Sequence, residues 1–288
     1  MIYSKIHLDE SKYIEIAHNY YSLKEEWDKM LDNEQHFELC KCVANRRASL
    51  EFTGQSACSI YEIARTDDFV MRPHCVTENH KSFDLICWRY GGFDPNARIV
   101  NGLRVASPER TISDLAKSDS LTSLLVSIND CLHKRLFTTD GLLEYVNNSP
   151  ERRYLNKIKK LILVATPKCE SPLETLAWLE INNEGFSFPT QQKIIYDKND
   201  FVARVDMYWE LKKGPMNERK IILELDGMGK YKTINDLYIE KRREDKLRAL
   251  GYKIVRATWE DVKFGKFVAL LSALGIKRRR YYIRGIIK

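Results

Sequence analysis

The sequence lacks a long apolar run: no stretch approaches the ~20 consecutive apolar residues that a membrane-spanning helix needs. Internal repeats and low-complexity segments are also absent. The opening stretch "MIYSKIHLDESKYIEIAH" carries too many charges to resemble a secretory leader. Of the 288 residues, 44% are hydrophobic and 30% are charged. These features predict a soluble, globular, cytoplasmic protein without a membrane partner, long enough for two domains.

The sequence also lacks the paired Cys-x-x-Cys spacing of structural zinc sites. An odd number of scattered cysteines in a cytoplasmic protein argues against a disulfide framework. Two groups, His36 with Cys40 and Cys42, and His74 with Cys75 and His80, leave zinc as an alternative. The expected role of the cysteines is that of small buried hydrophobes. The seven positions are Cys40, Cys42, Cys58, Cys75, Cys87, Cys131 and Cys169.

Charge is divided unevenly along the chain. Residues 1–166 hold 22 Lys and Arg against 23 Asp and Glu, a net charge of −1. Residues 167–288 hold 25 against 17, a net charge of +8. The excess of positive charge in the second part predicts a polyanionic partner such as nucleic acid.

The first part, residues 1–166, has mixed helical and strand patterns that predict an α+β domain. "SKYIEIAHNYYSLKEEWDKML" is expected to be helical, whereas "DFVMRPHCVTENH" and "DLICWRYGG" alternate like the two strands of a hairpin. In "ASPERTISDLAKS", Ser107 is placed to cap a helix that has Pro108 at its first position.

The second part, residues 167–288, follows a basic helix that Pro167 ends. Its patterns run in the order helix, three strands, helix, strand, helix. The first of these helices has Ser171 as its expected cap and Pro172 at its first position. This order predicts an α/β sandwich around a short central sheet.

Acidic residues lie where the pattern expects buried strands. Glu224 and Asp226 are two apart in "IILELDG", so both point to one face of the strand. Asp206 lies on the preceding strand and comes close to them if the two strands pair, and Glu174 opens the helix before. Buried like charges need a compensating cation, and oxygen ligands suit Mg²⁺ or Mn²⁺. The alternative is simple ion pairing, for which the sequence offers Arg204, Lys253 and Arg256.

The stretch "VDMYWE…KIILELDGMGKYK…EKRREDKLRALGYKIVRATWEDV" resembles the nuclease domain related to the very-short-patch repair endonucleases, a branch of the PD-(D/E)XK restriction-endonuclease-like superfamily. The resemblance covers about residues 168–265 and implies a restriction-endonuclease-like α/β sandwich with a mixed central sheet. It implies metal-binding roles for Asp206 and Glu224. The usual lysine two positions after Glu224 is Asp226 here, and Lys230 is the candidate for the missing positive charge. The resulting candidate catalytic residues are Glu174, Asp206, Glu224, Asp226 and Lys230, with Asp206, Glu224 and Asp226 as the metal ligands.

The first part resembles the C-terminal region of abortive-infection antitoxins of type IV toxin–antitoxin systems. The segments "FTGQSACSI" and "ASPERTISDLA" carry this resemblance. This resemblance says little about chemistry. The interpretation that we favour for residues 1–166 is a scaffold or docking domain without catalysis, through which the chain would contact a protein partner.

Basic residues near the predicted acidic site and at the C-terminus are candidates for contacts with nucleic acid. Lysine and arginine neutralise phosphates, and tyrosine stacks on unpaired bases. A solvated helix face and a solubilising tail are the alternatives. The candidates are Arg242, Arg243, Lys246, Lys277, Arg278, Arg279, Arg280 and Tyr281.

The sequence therefore favours a Mg²⁺-dependent endonuclease, with DNA as the expected substrate, in a prokaryotic defence or mobile-element setting. Two alternatives stay open. The chain is a DNA-binding or antitoxin-like regulator that keeps the nuclease fold without cutting, or it is a nuclease subunit that is active only within a partner complex. Neither the kind of strand nor a sequence preference follows from these residues.

Overall fold

The computed structural model describes residue 9 and residues 11–46, 50–76, 87–88, 92–149, 152–212, 219–227 and 234–280. The chain divides into two compact units, Met1–Ala165 and Thr166–Lys288. The sequence placed this boundary between residues 166 and 167. Within the described ranges, no helix has both the length and the apolar character needed to cross a membrane.

The strands of the N-terminal unit are short and form two sheets. One is the two-stranded pair β1–β2, and the other has the order β5-β4-β3-β7-β6. Strand β3 pairs antiparallel with β4 but parallel with β7, so the larger sheet is mixed. The described strands of this unit are β1 (Tyr13–Ala17), β2 (Tyr20–Leu23), β3 (Glu51–Phe52), β4 (His74–Val76), β5 (Cys87–Trp88), β6 (Arg98–Val100) and β7 (Leu103–Val105).

Helices make up much of the rest of this unit. The cap predicted at Ser107 is confirmed: its hydroxyl accepts a hydrogen bond from the Arg110 amide, and Pro108 opens the helix. The described helices are α1 (Lys24–Trp27), α2 (Asp32–Ala44), α3 (Gly54–Tyr61), α4 (Pro108–Leu115), α5 (Leu121–His133), α6 (Thr139–Asn148) and α7 (Arg152–Ile162).

The helix expected from "SKYIEIAHNYYSLKEEWDKML" was wrong for its first half. Residues 13–23 form the β1–β2 hairpin, and helix begins only at Lys24. Tyrosine and isoleucine favour strands, and Asn19 occupies the left-handed region (φ 62) that a tight turn uses. The Glu15 carboxylate accepts a hydrogen bond from the Asn19 amide at 2.8 Å and so stabilises that turn.

The hairpin expected from "DFVMRPHCVTENH" and "DLICWRYGG" was also wrong. Strands β4 and β5 do pair, but they run parallel, with His74 opposite Cys87. The antiparallel partner of β4 is β3, where Phe52 lies opposite Cys75. Alternation identifies a strand, but it does not identify the partner or the direction of pairing.

A buried carboxylate gives the residue spacing of "ASPERTISDLA" a physical explanation. Asp114 is fully buried on α4, and its oxygens accept hydrogen bonds from Thr53 (2.5 Å), Arg110 (2.8 Å) and Lys117 (2.9 Å). Although burial alone would raise the pKa of Asp114, the positive charges of Arg110 and Lys117 lower it. The segment therefore joins α4 to the β3–α3 turn through one ionised side chain.

The prediction that the cysteines are small buried hydrophobes is confirmed for those whose side chains are described. They are buried and free of disulfides, and Cys40 and Cys75 belong to one apolar cluster with Phe52 and Val105. Within the described part of the chain, no group of three or more His, Cys, Asp or Glu is arranged to hold a metal ion. His80 and the Cys87 side chain lie outside the described residues.

The C-terminal unit is a four-stranded mixed sheet in the order β11-β10-β9-β8. Strands β8, β9 and β10 are antiparallel neighbours, whereas β10 and β11 run parallel. This confirms the α/β class and the mixed sheet. Its elements are α8 (Pro172–Asn183), β8 (Thr190–Asp197), β9 (Asp200–Glu210), β10 (Lys220–Asp226), α9 (Ile234–Ala249), β11 (Tyr252–Thr258), α10 (Trp259–Lys263) and α11 (Lys266–Ala273).

Each face of this sheet has its own apolar layer. On β10, Ile221, Leu223 and Leu225 pack with residues of α8, α10 and α11. Ile222, on the opposite face, packs with Leu247 of α9. Successive residues of β10 are buried on opposite faces of the sheet, so an apolar run forms most of the strand, as its sequence predicted. The carboxylates of Glu224 and Asp226 fall on the α9 side, at the end of the strand.

Acidification is expected to destabilise the N-terminal unit through His36. The ring is fully buried on α2, and its Nε2 lies 2.8 Å from the Ser56 hydroxyl. Burial, together with the charge of Arg65, lowers the pKa of His36 from 6.5 to about 4. The unfolded chain therefore takes up this proton as pH falls below 6.5, whereas the folded unit takes it up only near pH 4. The free energy of unfolding should fall across that window by about 3 kcal/mol.

The measurement is the urea midpoint of the wild type and of His36→Gln from neutral pH down to about pH 4. The glutamine keeps a polar partner for Ser56 but cannot titrate. We expect the difference between the two proteins to shrink as pH falls. Parallel curves for the two proteins would contradict the role of His36.

Candidate carboxylate site

The register of β9 and β10 brings Asp206 to Glu224. Paired positions run from Lys220 opposite Glu210 to Leu223 opposite Met207, and Asp206 and Glu224 are the next residues after this last pair. There the Asp206 carboxylate replaces the backbone as acceptor: its Oδ2 accepts a hydrogen bond from the Leu225 amide at 2.9 Å. The Asp206 carboxylate therefore lies against the backbone of β10, directly beside Glu224.

Glu174 reaches the same region from the first turn of α8. Its backbone amide donates to Ser171 Oγ, and its own Oε1 accepts from that hydroxyl at 3.0 Å. Its Oε2 accepts from the Glu170 amide (3.0 Å) and from Gln192 Nε2 (2.9 Å). Burial raises the pKa of Glu174 above its usual range, and the negative charge of Asp206 adds to this effect. Glu174 and Asp206 are therefore electrostatic neighbours, as the sequence analysis expected.

Glu224 is only 3% exposed, and an arginine of α9 compensates its charge. The Arg243 guanidinium donates to Glu224 Oε1 at 3.2 Å and to both oxygens of Glu240, at 2.7 and 2.9 Å. Although burial alone would lower the pKa of Arg243, Glu240 and Glu224 raise it. Arg243 therefore bridges the end of β10 to α9.

A second arginine compensates Asp226. Arg256, on the parallel neighbour β11, donates from one nitrogen to both oxygens of Asp226, at 2.8 and 3.1 Å. Its other nitrogen donates to Glu240 at 2.6 Å. Hydrogen bonds from Arg243, and then from Arg256, lower the pKa of Glu240 to about 2. Glu240 therefore stays ionised and joins the two arginines.

These contacts show which arginines compensate the negative charges of Glu224 and Asp226. Of the cations that the sequence offered as simple ion-pair partners, Arg256 takes that role, while Arg204 pairs with Glu170. Within the described residues, no group of three or more potential ligands is arranged around one point as a metal cage. Asp206 and Glu224 nevertheless present oxygen-only donors on adjacent strands, which is the donor type that Mg²⁺ takes.

The remaining predicted residues are distributed over two surfaces. Arg242 and Lys246 are exposed on α9, with Lys246 Nζ 3.9 Å from Asp197. Lys277 and Arg280 are exposed after α11. Lys230 and Tyr281 lie outside the described residues.

Two of the predicted C-terminal cations make contacts within the fold. Arg278 pairs with Glu184 at 3.0 Å and lies over the Phe186 ring. The Arg279 guanidinium lies 3.8 Å from the centre of the Phe188 ring, and burial lowers its pKa. The backbone of this segment also pairs with residues 185–187. These two arginines therefore attach the segment to the end of α8.

Two side chains of the site, those of Glu240 and Gln192, are not among the predicted residues. Glu240 precedes Arg243 by three positions on α9, a spacing that predicts an ion pair and could have been noticed. Gln192 gave no such signal. It lies between two paired positions of β8 with a left-handed backbone (φ 53), and its side chain reaches Glu174.

Protein-family models, curated proteins and solved structures were each compared with the chain, and none of them matches it. The chemistry of the site is therefore inferred from its own contacts.

Loss of Arg243 should destabilise the C-terminal unit. Arg243→Met leaves the charge of Glu224 buried without its α9 partner, which should lower the free energy of unfolding by about 2–3 kcal/mol. The matched control is Arg248→Met on the same helix, whose ion pair with Glu244 is exposed at the surface. That control should cost at most about 1 kcal/mol.

A double-mutant cycle with Glu224→Gln separates the pair from other effects of Arg243. Urea unfolding of the four proteins should show that Arg243→Met costs less when residue 224 is already neutral. Additive losses would mean that Arg243 does not compensate Glu224.

Proposed function

We propose that the chain is a metal-dependent nuclease that hydrolyses phosphodiester bonds, with DNA as the expected substrate. The observation that carries this proposal is the convergence of Asp206 and Glu224 from neighbouring strands, with Glu174 beside them. Carboxylates collected at the end of a sheet, where one is almost fully buried, suit the binding of a divalent cation.

The architecture supports a restriction-endonuclease-like sandwich for the C-terminal unit. Its mixed four-stranded sheet has apolar layers on both faces, with α9 on one side and α8, α10 and α11 on the other. This is the arrangement that the resemblance to the PD-(D/E)XK superfamily implies. The acids that the resemblance assigns to metal binding follow directly after the last paired positions of β9 and β10.

Asp206 and Glu224 would hold the Mg²⁺, and Asp226 would be a further ligand or position water. When bound, such an ion stabilises charge on the phosphate and makes a bound water more acidic. Arg243 offsets the cost of burying the Glu224 charge before a substrate arrives. Lys230 would stabilise the charge of the phosphate, in place of the lysine that Asp226 replaces.

Glu174 is suited to accept or position a proton. Because burial and Asp206 raise its pKa, it exchanges protons closer to neutral pH than an ordinary glutamate does. Its hydrogen bonds to Ser171, Gln192 and the Glu170 amide fix the orientation of the carboxyl group. It would act as an orienting base or a further ligand.

A regulator that binds nucleic acid without cutting is the second candidate. The observation that favours it is the pairing of Glu224 and Asp226 with Arg243 and Arg256, which neutralises the acids without a metal. In either case residues 1–166 would serve as a docking domain for a protein partner, and a nuclease that needs that partner is the third candidate.

Cleavage should depend on Asp206 and Glu224. Asp206→Asn and Glu224→Gln should each reduce Mg²⁺-dependent cutting of supercoiled plasmid, single-stranded DNA or RNA by about 100-fold or more, because each removes a ligand charge. Glu260→Gln, an exposed acid on α10, is the matched control and should cut normally. EDTA should stop the reaction.

Full activity of Glu224→Gln would refute the assignment of the site. Salt-sensitive binding by a wild-type protein that cuts none of these substrates would favour the regulator. Cutting that appears only when a partner protein is added would favour the third candidate.

The exposed cations after α11 should contribute to affinity through phosphates. The double variant Lys277→Ala/Arg280→Ala should make the fall of log affinity with log salt shallower, by about 2 in slope. The reason is that each cation bound to a phosphate releases roughly one counterion. When each is replaced alone by alanine, Arg278 should change the slope less than Lys277, because Glu184 already offsets the charge of Arg278. The measurement is fluorescence anisotropy of labelled DNA over a salt series; an unchanged slope in the double variant would exclude this surface.

A further inference from the structure

An open groove of about 450 Å³ lies between the start of β9 and the outer face of α9. We call it the α9 groove. Its walls combine the aromatic rings of Phe201 and Tyr238 with the cationic side chains of Arg242 and Lys246. None of the sequence patterns pointed to the aromatic half of this surface.

The aromatic side chains of the groove are unusually exposed. Phe201 is 62% exposed and Tyr238 is 61% exposed, and Ile239 beside them is 57% exposed. Tyr196 packs edge-on against Phe201, with ring centres 6.3 Å apart at 81°, which orients the Phe201 ring. Exposed apolar side chains that gather in one groove indicate a binding surface more than single exposed residues do.

Cations stand next to these rings. The Arg242 guanidinium lies 5.9 Å from the centre of the Tyr238 ring. Lys246 has Asp197 as a partner at 3.9 Å, but both side chains are exposed, so water and salt screen that pair strongly. A polyanion can therefore compete for Lys246 at little cost.

The groove is continuous with the carboxylate site through Arg243. This side chain lines the groove and also donates a hydrogen bond to Glu224. Arg243 is therefore the side chain that the groove and the carboxylate site share.

We propose that the α9 groove binds an unpaired nucleotide that flanks the phosphodiester to be cut, so that the substrate is single-stranded DNA or RNA, or has a single-stranded segment. This inference rests on the proposed nuclease function. Phe201 and Tyr238 stack on the base, and Arg242 and Lys246 neutralise adjacent phosphates. In a duplex the faces of a base are covered by its neighbours, and only an unpaired base offers a face to aromatic side chains.

The groove's cations favour a nucleotide over an apolar protein segment as its occupant. An apolar partner would gain from the rings but would bury Arg242 and Lys246 without an opposite charge, which is costly. A nucleotide satisfies both halves of the groove, because it carries an aromatic base and an anionic phosphate.

The experiment measures binding by fluorescence anisotropy, with labelled single-stranded DNA, the same sequence as RNA, and the blunt DNA duplex. Phe201→Ala and Tyr238→Ala should each weaken single-strand binding about 10-fold and duplex binding much less. Tyr238→Phe keeps the ring and should bind normally. Phe264→Ala removes a ring that is 68% exposed outside the groove and is the matched control.

The DNA and RNA arms identify the strand that the groove prefers. Equal losses for single strands and duplex in the two alanine variants, no loss in either variant, or wild-type protein that binds none of the three probes, would overturn the inference.

Cleavage assays on the same probes separate this inference from the proposed function. If the wild type cuts a duplex as well as single strands and the alanine variants cut normally, the nuclease stands and the groove assignment fails. If nothing is cut but single-strand binding still depends on Phe201 and Tyr238, the groove assignment stands and the nuclease fails.

Discussion

The C-terminal unit depends on how it compensates the negative charges at the end of β10. Glu224 is almost fully buried, and an isolated carboxylate there would cost several kcal/mol. Arg243 from α9 and Arg256 from β11 supply the opposite charge, and Glu240 joins the two arginines. This network connects the helix on one face of the sheet to both of its parallel strands. The position of α9 is therefore set by charge as well as by the apolar contact of Leu247.

The same network constrains any function of the site. In the structure Glu224 and Asp226 are paired with arginines, so a divalent cation would enter a site where two of the acids are already compensated. Arg243 contacts Glu224 and also lines the α9 groove. A phosphate entering the groove would offer this arginine a third anion beside Glu224 and Glu240. Such an exchange would couple the arrival of substrate to the release of carboxylate oxygens for the metal.

The N-terminal unit shows how a conspicuous motif can be structural. In "ASPERTISDLA", Ser107 caps α4, Pro108 opens it, and Arg110 pairs with the buried Asp114 one turn later. Asp114 also accepts from Thr53 of the "FTGQSACSI" segment. The two segments that carry the resemblance to antitoxins thus contact each other in the fold. Helix capping and one satisfied buried charge account for these residue types.

The sequence signals that the structure follows are local ones. Serine and proline at helix starts, the apolar run of β10 and the two-residue spacing of Glu224 and Asp226 all act between near neighbours, and the structure follows them. The contacts that appear only in the tertiary structure join residues far apart in the chain. Arg243 and Arg256 compensate acids 19 and 30 positions away, β5 pairs parallel with β4, and the α9 groove joins β9 to α9. Charge pairing and strand pairing act through space, so a linear pattern shows which groups need a partner but not which partner they find.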